Sequence, residues 1–416
     1  MSVTETGRAV RRSGAARAGE ALIAAVAAVS WAFIGMVGVA ALGLHLLGAD
    51  ATGSLGPMTA AAVALGVGGR VAPSGDVSAF GLDGAEARTA VSVTPLGVGL
   101  TGALLLSWFF LRSLRTAEVE VRAGELAARA GTVAALFLGL LGGLARAGHD
   151  LITIDGTKPG LGGIPDNGGL PGDLGDRLPD GVGGLLPDRL GDLAGAKASV
   201  GFTVQTGPTL AGGAVFVAGV LVLALLASRR TPLPRALAPL HRLVRPAVSS
   251  LVLVLLLAVA AGLVAAVSAS LGDGSARRIA GAALLGAPNG VWLGVPVGLF
   301  VPWDGTATGE LARLLPDPLE QLLRMSGDEP VTVGRLAALD GRVWLLPVAA
   351  ALMMLCAGVL TAVRTPRRGH GAPAFAGHCA LRLGVPAALA LPLLVRLTDL
   401  SAGASLSVLG LDAFGA

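Results

Sequence analysis

The chain has 416 residues, of which 53% are hydrophobic and only 14% charged, with a mean hydropathy of +0.74. A soluble protein of this composition would leave far more apolar surface than one core can hide, so an ordinary globular fold is excluded and a bilayer becomes the natural solvent. The net charge of +4 comes from 29 arginines and two lysines, Lys158 and Lys197, against 27 acids; with Ala and Gly so abundant, this bias reads as that of a GC-rich genome and not of a nucleic-acid-binding surface.

A helix crossing about 30 Å of hydrocarbon needs roughly 20 apolar residues, and charge-free runs of that length define the expected spans. After a basic N-terminus at 1–19 comes a first hairpin over 20–114, with helices at about 21–47 and 95–113 around a loop at 48–94. The second hairpin, 126–228, has helices at about 126–147 and 208–228 and a loop at 148–207. The third, 246–363, has helices at about 246–271 and 343–363 and a long intervening segment at 272–342. A seventh helix with an outer tail fills 376–416; it is the weakest, because Pro386 and Pro392 fall within it and can break it usefully or merely kink it. The expected fold class is therefore an all-α integral membrane helix bundle of about seven transmembrane helices with small β-like extracytoplasmic elements. Arg11 and Arg12 before an apolar run resemble a secretory signal, but the run of 27 residues exceeds a signal core, so an uncleaved first span is expected.

Cations set the orientation, since arginine resists translocation. With the N-terminus inside, the inner segments hold 17 of the 31 cations and only five of the 27 acids (Glu5, Glu20, Glu118, Glu120 and Glu125). Long loops then lie outside, and the expected location is the cell membrane with a cytoplasmic N-terminus.

The outer segments differ in texture. In the first, alternation at Val63, Leu65 and Val67, again at 77–82 and at 90–93, predicts short strands joined by turns. The second contains a Gly/Pro/Asp-rich low-complexity stretch at 160–195. The third includes 281–302, apolar but interrupted by Pro288-Asn289-Gly290, Pro296 and Pro302. If it crossed the bilayer, every later span would invert, so partial insertion or surface packing is expected. Asp317-Pro318-Leu319-Glu320 has the pattern of a capped helix start.

The octapeptide 77–84 matches 406–413 at four of eight positions, and Ala198 to Phe202 precedes Pro208 much as Ala90 to Val93 precedes Pro95. This suggests four hairpins, each with a strand-like element before its returning helix, and hence a chain that stops short of an eighth helix.

The stretches Ser74 to Gly97, Gly286 to Leu293 and Phe300 to Gly309 are similar to the streptophobe family of actinobacterial membrane proteins. The resemblance implies a multi-pass membrane protein of actinobacterial origin, and no functional residue is carried over with it.

No chemistry is legible in the residues. Adjacent His378 and Cys379 point about 100° apart on a helix and lack a third partner. His45, His149, His241, His370 and His378 show no metal-ligand spacing, and Asp173, Asp176, Asp180 and Asp188 lack the order of a calcium loop. Ser54 lies between glycines without a partner histidine, and Cys356 and Cys379 imply no disulfide framework. The expectation is thus a non-enzymatic protein with no cofactor, no metal and no catalytic residue. Its partners are the lipid bilayer and an envelope protein or a small apolar cargo, with no nucleic acid. Two functions follow: an envelope protein whose outer loops bind a partner, or a permease-like transporter of a small or lipidic molecule. Span interiors nearly free of charge weigh against ion coupling. Gly139 and Gly143 offer a small-residue face for helix packing, and Trp108 and Trp344 are expected at the membrane interface.

Overall fold

The computed structural model describes residues 3–51, 53–76, 85–92, 94–115, 123–155, 197–228, 238–271, 275–302, 332–366, 371–398, 401–408 and 411–414. The helices, in chain order, are α1 (Val3–Leu47), α2 (Leu55–Gly66), α3 (Leu96–Arg115), α4 (Ala123–Ala147), α5 (Thr206–Ala227), α6 (Ala238–Ser270), α7 (Ala276–Gly298), α8 (Val333–Leu339), α9 (Leu345–Arg364) and α10 (Ala372–Leu397). Eight of them, all but α2 and α8, are long and apolar enough to cross a membrane. Their outward faces carry large apolar side chains, Ile23 and Leu381 each 71% exposed and Val264 69%, a surface that only lipid can cover. The protein is a multi-pass membrane helix bundle.

Six of the seven expected spans lie within helices whose apolar parts match them to within a few residues, α1 and α6 beginning 18 and 8 residues earlier, and the seventh is one unbroken helix. α10 runs from Ala372 to Leu397 through both Pro386 and Pro392, so of the two outcomes left open the prolines do not break it. In hydrocarbon no water replaces the hydrogen bonds a break would expose, which keeps a proline-containing segment helical where water would let it open. The same reason corrects the reading of 281–302 as broken: α7 passes through Pro288 and Pro296 without interruption and is the eighth long apolar helix.

Two sub-bundles share the molecule. α1, α3, α4 and α5 enclose Met36, Leu106, Phe110, Leu114, Phe137 and Leu141, each no more than 1% exposed. Phe137 lies between Phe33, at 5.0 Å between ring centroids, and Phe216, at 5.7 Å. α6, α9 and α10 pack through the smaller Ala247, Val254, Ala357 and Leu383. α7 touches α1 and α3 on one side and α6, α9 and α10 on the other, so it is the wedge between them.

The ends of the bundle are distinct. At one, strands from two interhelix segments and from the stretch after α10 meet in two antiparallel three-stranded sheets: β1 (Arg70–Asp76), β4 (Lys197–Gln205) and β3 (His149–Asp155) in the order β1-β4-β3, and β2 (Ala85–Ser92), β5 (Ser401–Val408) and β6 (Leu411–Phe414) in the order β2-β5-β6. Register runs from Arg70↔Gln205 to Asp76↔Ser199 in the first and from Ala85↔Val408 to Ser92↔Ser401 in the second. The expected strands at 90–93 and 198–202 thus fall on β2 and β4, while 77–82 lies outside the described residues. The expected strand at Val63 to Val67 is instead the end of α2 and its C-cap. Ala60, Val63, Ala64 and Val67 are buried at helical spacing, and three alternating residues are too few to separate the two periods. The low-complexity stretch 160–195 and the helix expected from Asp317 also lie outside the described residues.

The opposite end is held by arginines and backbone carbonyls. Arg129 Nη1 donates to the Ser113 carbonyl at 3.1 Å and Nη2 to Glu125 at 2.8 Å, tying α4 to α3. His241 Nε2 lies 3.1 Å from the Ser228 carbonyl, tying α6 to α5. Arg364 at the end of α9 donates to Ser249 and Ser250 near the start of α6. These two ends are called below the sheet end and the arginine end.

Candidate functional site

The sheet end brings together polar side chains from distant parts of the chain. After α1, the turn Gly48 (φ +82°) and a 3₁₀ turn at Ala49–Ala51 place Asp50 beside His45, whose Nδ1 is 2.8 Å from Asp50 Oδ2. Arg277, in the first turn of α7, brings its Nη2 to 3.4 Å from His45 Nε2. A neutral imidazole with its proton on Nδ1 satisfies both contacts, donating to the carboxylate and accepting from the guanidinium. The hydrogen bond from His45 holds the Asp50 carboxyl below its ordinary pKa despite a small opposing effect of burial. Any stability this contact confers is therefore present above the ordinary Asp value and lost as pH falls through the lowered one.

α7 enters the bundle from this cluster. A Cβ at Gly281 would lie 2.8 Å from the Gly43 carbonyl oxygen and one at Gly43 would lie 2.6 Å from Leu285 Cγ, so α1 and α7 meet backbone to backbone. At Gly97 a Cβ would overlap the Leu284 carbonyl oxygen, with Leu285 O only 3.0 Å away. One turn on, Asn289 clamps the start of α3: its Oδ1 accepts from Leu96 N–H at 3.1 Å and its Nδ2 donates to the Thr94 carbonyl at 2.8 Å. Leu96 N–H is one of the donors a helix N-terminus leaves without an intrahelical partner, and here another helix supplies the cap. Farther along, Val295 lines a small apolar cavity with Val254, Met353 and Leu391. A Cβ at Gly298 would sit 2.9 Å from both Leu346 O and Ala350 Cβ, the first turns of α9. Thus α7 starts at the sheet end and finishes against the sheet-end half of α9, which itself runs on to Arg364 and the arginine end.

The residues weighed for chemistry are scattered. His149 pairs with Thr203 in the first sheet, and His378 Nδ1 faces the Ala374 carbonyl of its own helix at 3.3 Å. Cys356 is exposed on α9 and Cys379 buried on α10, both free thiols. Ser54 is the residue preceding α2, and His370, Asp173, Asp176, Asp180 and Asp188 lie outside the described residues. No group of three or more His, Cys, Asp or Glu side chains able to hold a metal occurs among the described residues. Trp344 stands 54% exposed at the start of α9, and Trp108 is 64% exposed on α3, seven residues before its end.

Small-residue packing is present but not where sequence spacing placed it. A Cβ at Gly139 or Gly143 would meet nothing within 4 Å, whereas Gly97, Gly99, Gly212 and Gly298 face backbone of a neighbouring segment. Asn289 and Gly97 were not singled out as functional, although both lie within the motifs that carry the family resemblance. Asn289 is 193 residues from Leu96, and Gly97 is as remote from Leu284, so no local pattern announces them. No family model matches the chain, and no curated protein or solved structure is significantly similar to it.

Proposed function

We propose that the chain is a non-enzymatic protein of the cell membrane that presents its sheet end outside the bilayer to bind an envelope protein, with the N-terminus and the arginine end in the cytoplasm. The observation that carries this reading is the convergence of strands from two interhelix segments and from the stretch after α10 into two sheets at one end, while the other end is joined by short arginine-rich connections. Loops that served only to link helices would have no need of shared registers. The orientation rests on the positive-inside bias: the segments expected inside hold 17 of the 31 cations, and among the described ones Arg129 and Arg364 stand at the arginine end.

In this topology α1, α3, α4, α5, α6, α9 and α10 cross, and α7 dips in from the outer side and returns. Parity supports it: an odd number of crossings brings β5 to the side where β2 lies, and their eight-residue antiparallel register requires that side to be shared. On the three sequence motifs alone, we assign the chain to the streptophobe family.

A photo-crosslinking residue in place of Thr203, exposed in β4, is expected to yield a discrete protein adduct in intact cells, and one in place of Val363, 78% exposed on α9, only lipid adducts. Absence of any protein adduct from Thr203 and from Gln205 contradicts the partner-binding reading. The second reading is transport, for which α7, inserted between the two sub-bundles, is the element that would line a path. Cargo flux in proteoliposomes that the partner-binding surface does not influence would favour it.

A further inference from the structure

We infer that β3 is a docking edge, to which an extended segment of an envelope protein adds as a further strand; this rests on the partner-binding role proposed for the sheet end and names how the partner is held. Among the described residues β3 pairs on one side only, as the outer strand of the order β1-β4-β3. Its register with β4 is regular from His149↔Thr203 to Asp155↔Lys197. One step before the first of these pairs, Val204 N–H donates to the Gly148 carbonyl at 2.9 Å. Bonded and non-bonded pairs alternate along an antiparallel ladder, so Asp150, Ile152 and Ile154 direct their backbone groups to β4. The N–H and C=O groups of Leu151, Thr153 and Asp155 therefore point the other way, into the outer edge.

Natural sheets blunt such edges, and the other edges at this end are blunted. The same alternation turns the Pro73 nitrogen away from β4, so the outer side of β1 lacks a donor at its middle. β2 lies against β1. β6 has four residues, and its register with β5 shifts between Leu406 and Ser407. β3 has none of these devices: it is seven residues long, regular, and free of proline and lysine. An edge of this kind is a template for strand addition, in which main-chain hydrogen bonds supply the affinity.

Two features of the sequence select the occupant. The segment that follows, 156–196, contains no run of more than three residues free of both glycine and proline, a composition that makes it a poor source of a pairing strand. β3 itself carries Asp150 and Asp155 and no Lys or Arg. Cross-strand charge pairing thus favours an incoming strand with a basic residue, and disfavours a second β3 in parallel register, where each Asp would meet its twin.

The test is hydrogen exchange at residue resolution on the full-length protein. In the purified monomer the amides of Leu151 and Thr153 are expected to exchange about tenfold faster or more than those of Ile152 and Ile154, and in isolated cell membranes, where the partner is present, all four are expected to be slow. Slow exchange at Leu151 and Thr153 in the monomer means that the chain covers its own edge and overturns the inference, as does fast exchange there in membranes. A photo-crosslinking residue in place of Asp155 is expected to give a protein adduct in cells. L151P removes an edge donor and leaves the bonds to β4, so it is expected to lower that yield about tenfold, and L151A to keep it. Slow exchange at Ile152 and Ile154 in L151P shows the ladder intact; if it is lost, the wild-type exchange decides. An adduct of twice the chain's mass assigns the edge to a second copy and overturns the envelope partner. An adduct from Thr203 that persists in L151P, with none from Asp155, overturns edge addition and leaves the partner-binding role standing, whereas no protein adduct from Asp155, Thr203 or Gln205 removes both.

Discussion

Gly97→Ala is expected to destabilise the protein by about 2 kcal/mol or more, although alanine is the better helix former by about 1 kcal/mol. The added methyl would overlap the Leu284 carbonyl oxygen and lie 2.9 Å from the Leu284 carbonyl carbon, and backbone cannot swing aside as a side-chain tip can. Relief requires α7 to move away from α3, which also loosens its contact with α1 at Gly43 and Gly281. Within lipid, packing contact between helices is a main source of association, because hydrocarbon tails are as apolar as the helix faces they would replace. Gly139→Ala is the matched control: a Cβ there meets nothing within 4 Å, so only the propensity gain remains and stability is expected to hold or rise slightly. Reversible unfolding in mixed micelles, with helicity as readout, measures both.

Asn289→Leu is expected to cost about 2 kcal/mol in the same assay. It removes the acceptor of Leu96 N–H and the donor to the Thr94 carbonyl, and each such bond contributes roughly 1 kcal/mol net, with a further penalty where the orphaned backbone group stays out of water. Asn289→Asp keeps the acceptor and loses the donor, so an intermediate loss or a larger one from a desolvated charge distinguishes the two halves of the clamp. Because Gly97 and Asn289 secure the same pair of helices, the double variant is expected to be less destabilised than the sum of the singles.

The helices were readable from sequence because a bilayer demands long charge-free runs and leaves arginine behind, two requirements that act residue by residue. α7 was misjudged as broken because proline is read as a stop signal, a rule learned in water; here Pro288 and Pro296 stay within a helix whose apolar surroundings offer the backbone no other partner. α2 was missed because an alternation as short as Val63, Leu65 and Val67 fits both periods. The packing glycines were missed for a different reason. A glycine's neighbours on its own helix say that a close approach is possible, as at Gly139 and Gly143, but what makes Gly97 critical is the Leu284 carbonyl of a helix far along the chain. The Asn289 clamp is likewise a product of tertiary pairing, invisible to any local pattern.

In the proposed topology α7 returns to the side it came from, which is what lets α9 and α10 bring β5 to the face that holds β2. Single cysteines at Ser275, ahead of α7, and at Arg342, ahead of α9, introduced into a C356A/C379A background and probed with a membrane-impermeant maleimide, test it directly; a third at Arg115 marks the arginine end. Ser275 and Arg342 are expected to label from one face of the membrane and Arg115 only from the other. Labelling of Ser275 and Arg342 from opposite faces would mean that α7 crosses, and would contradict the account.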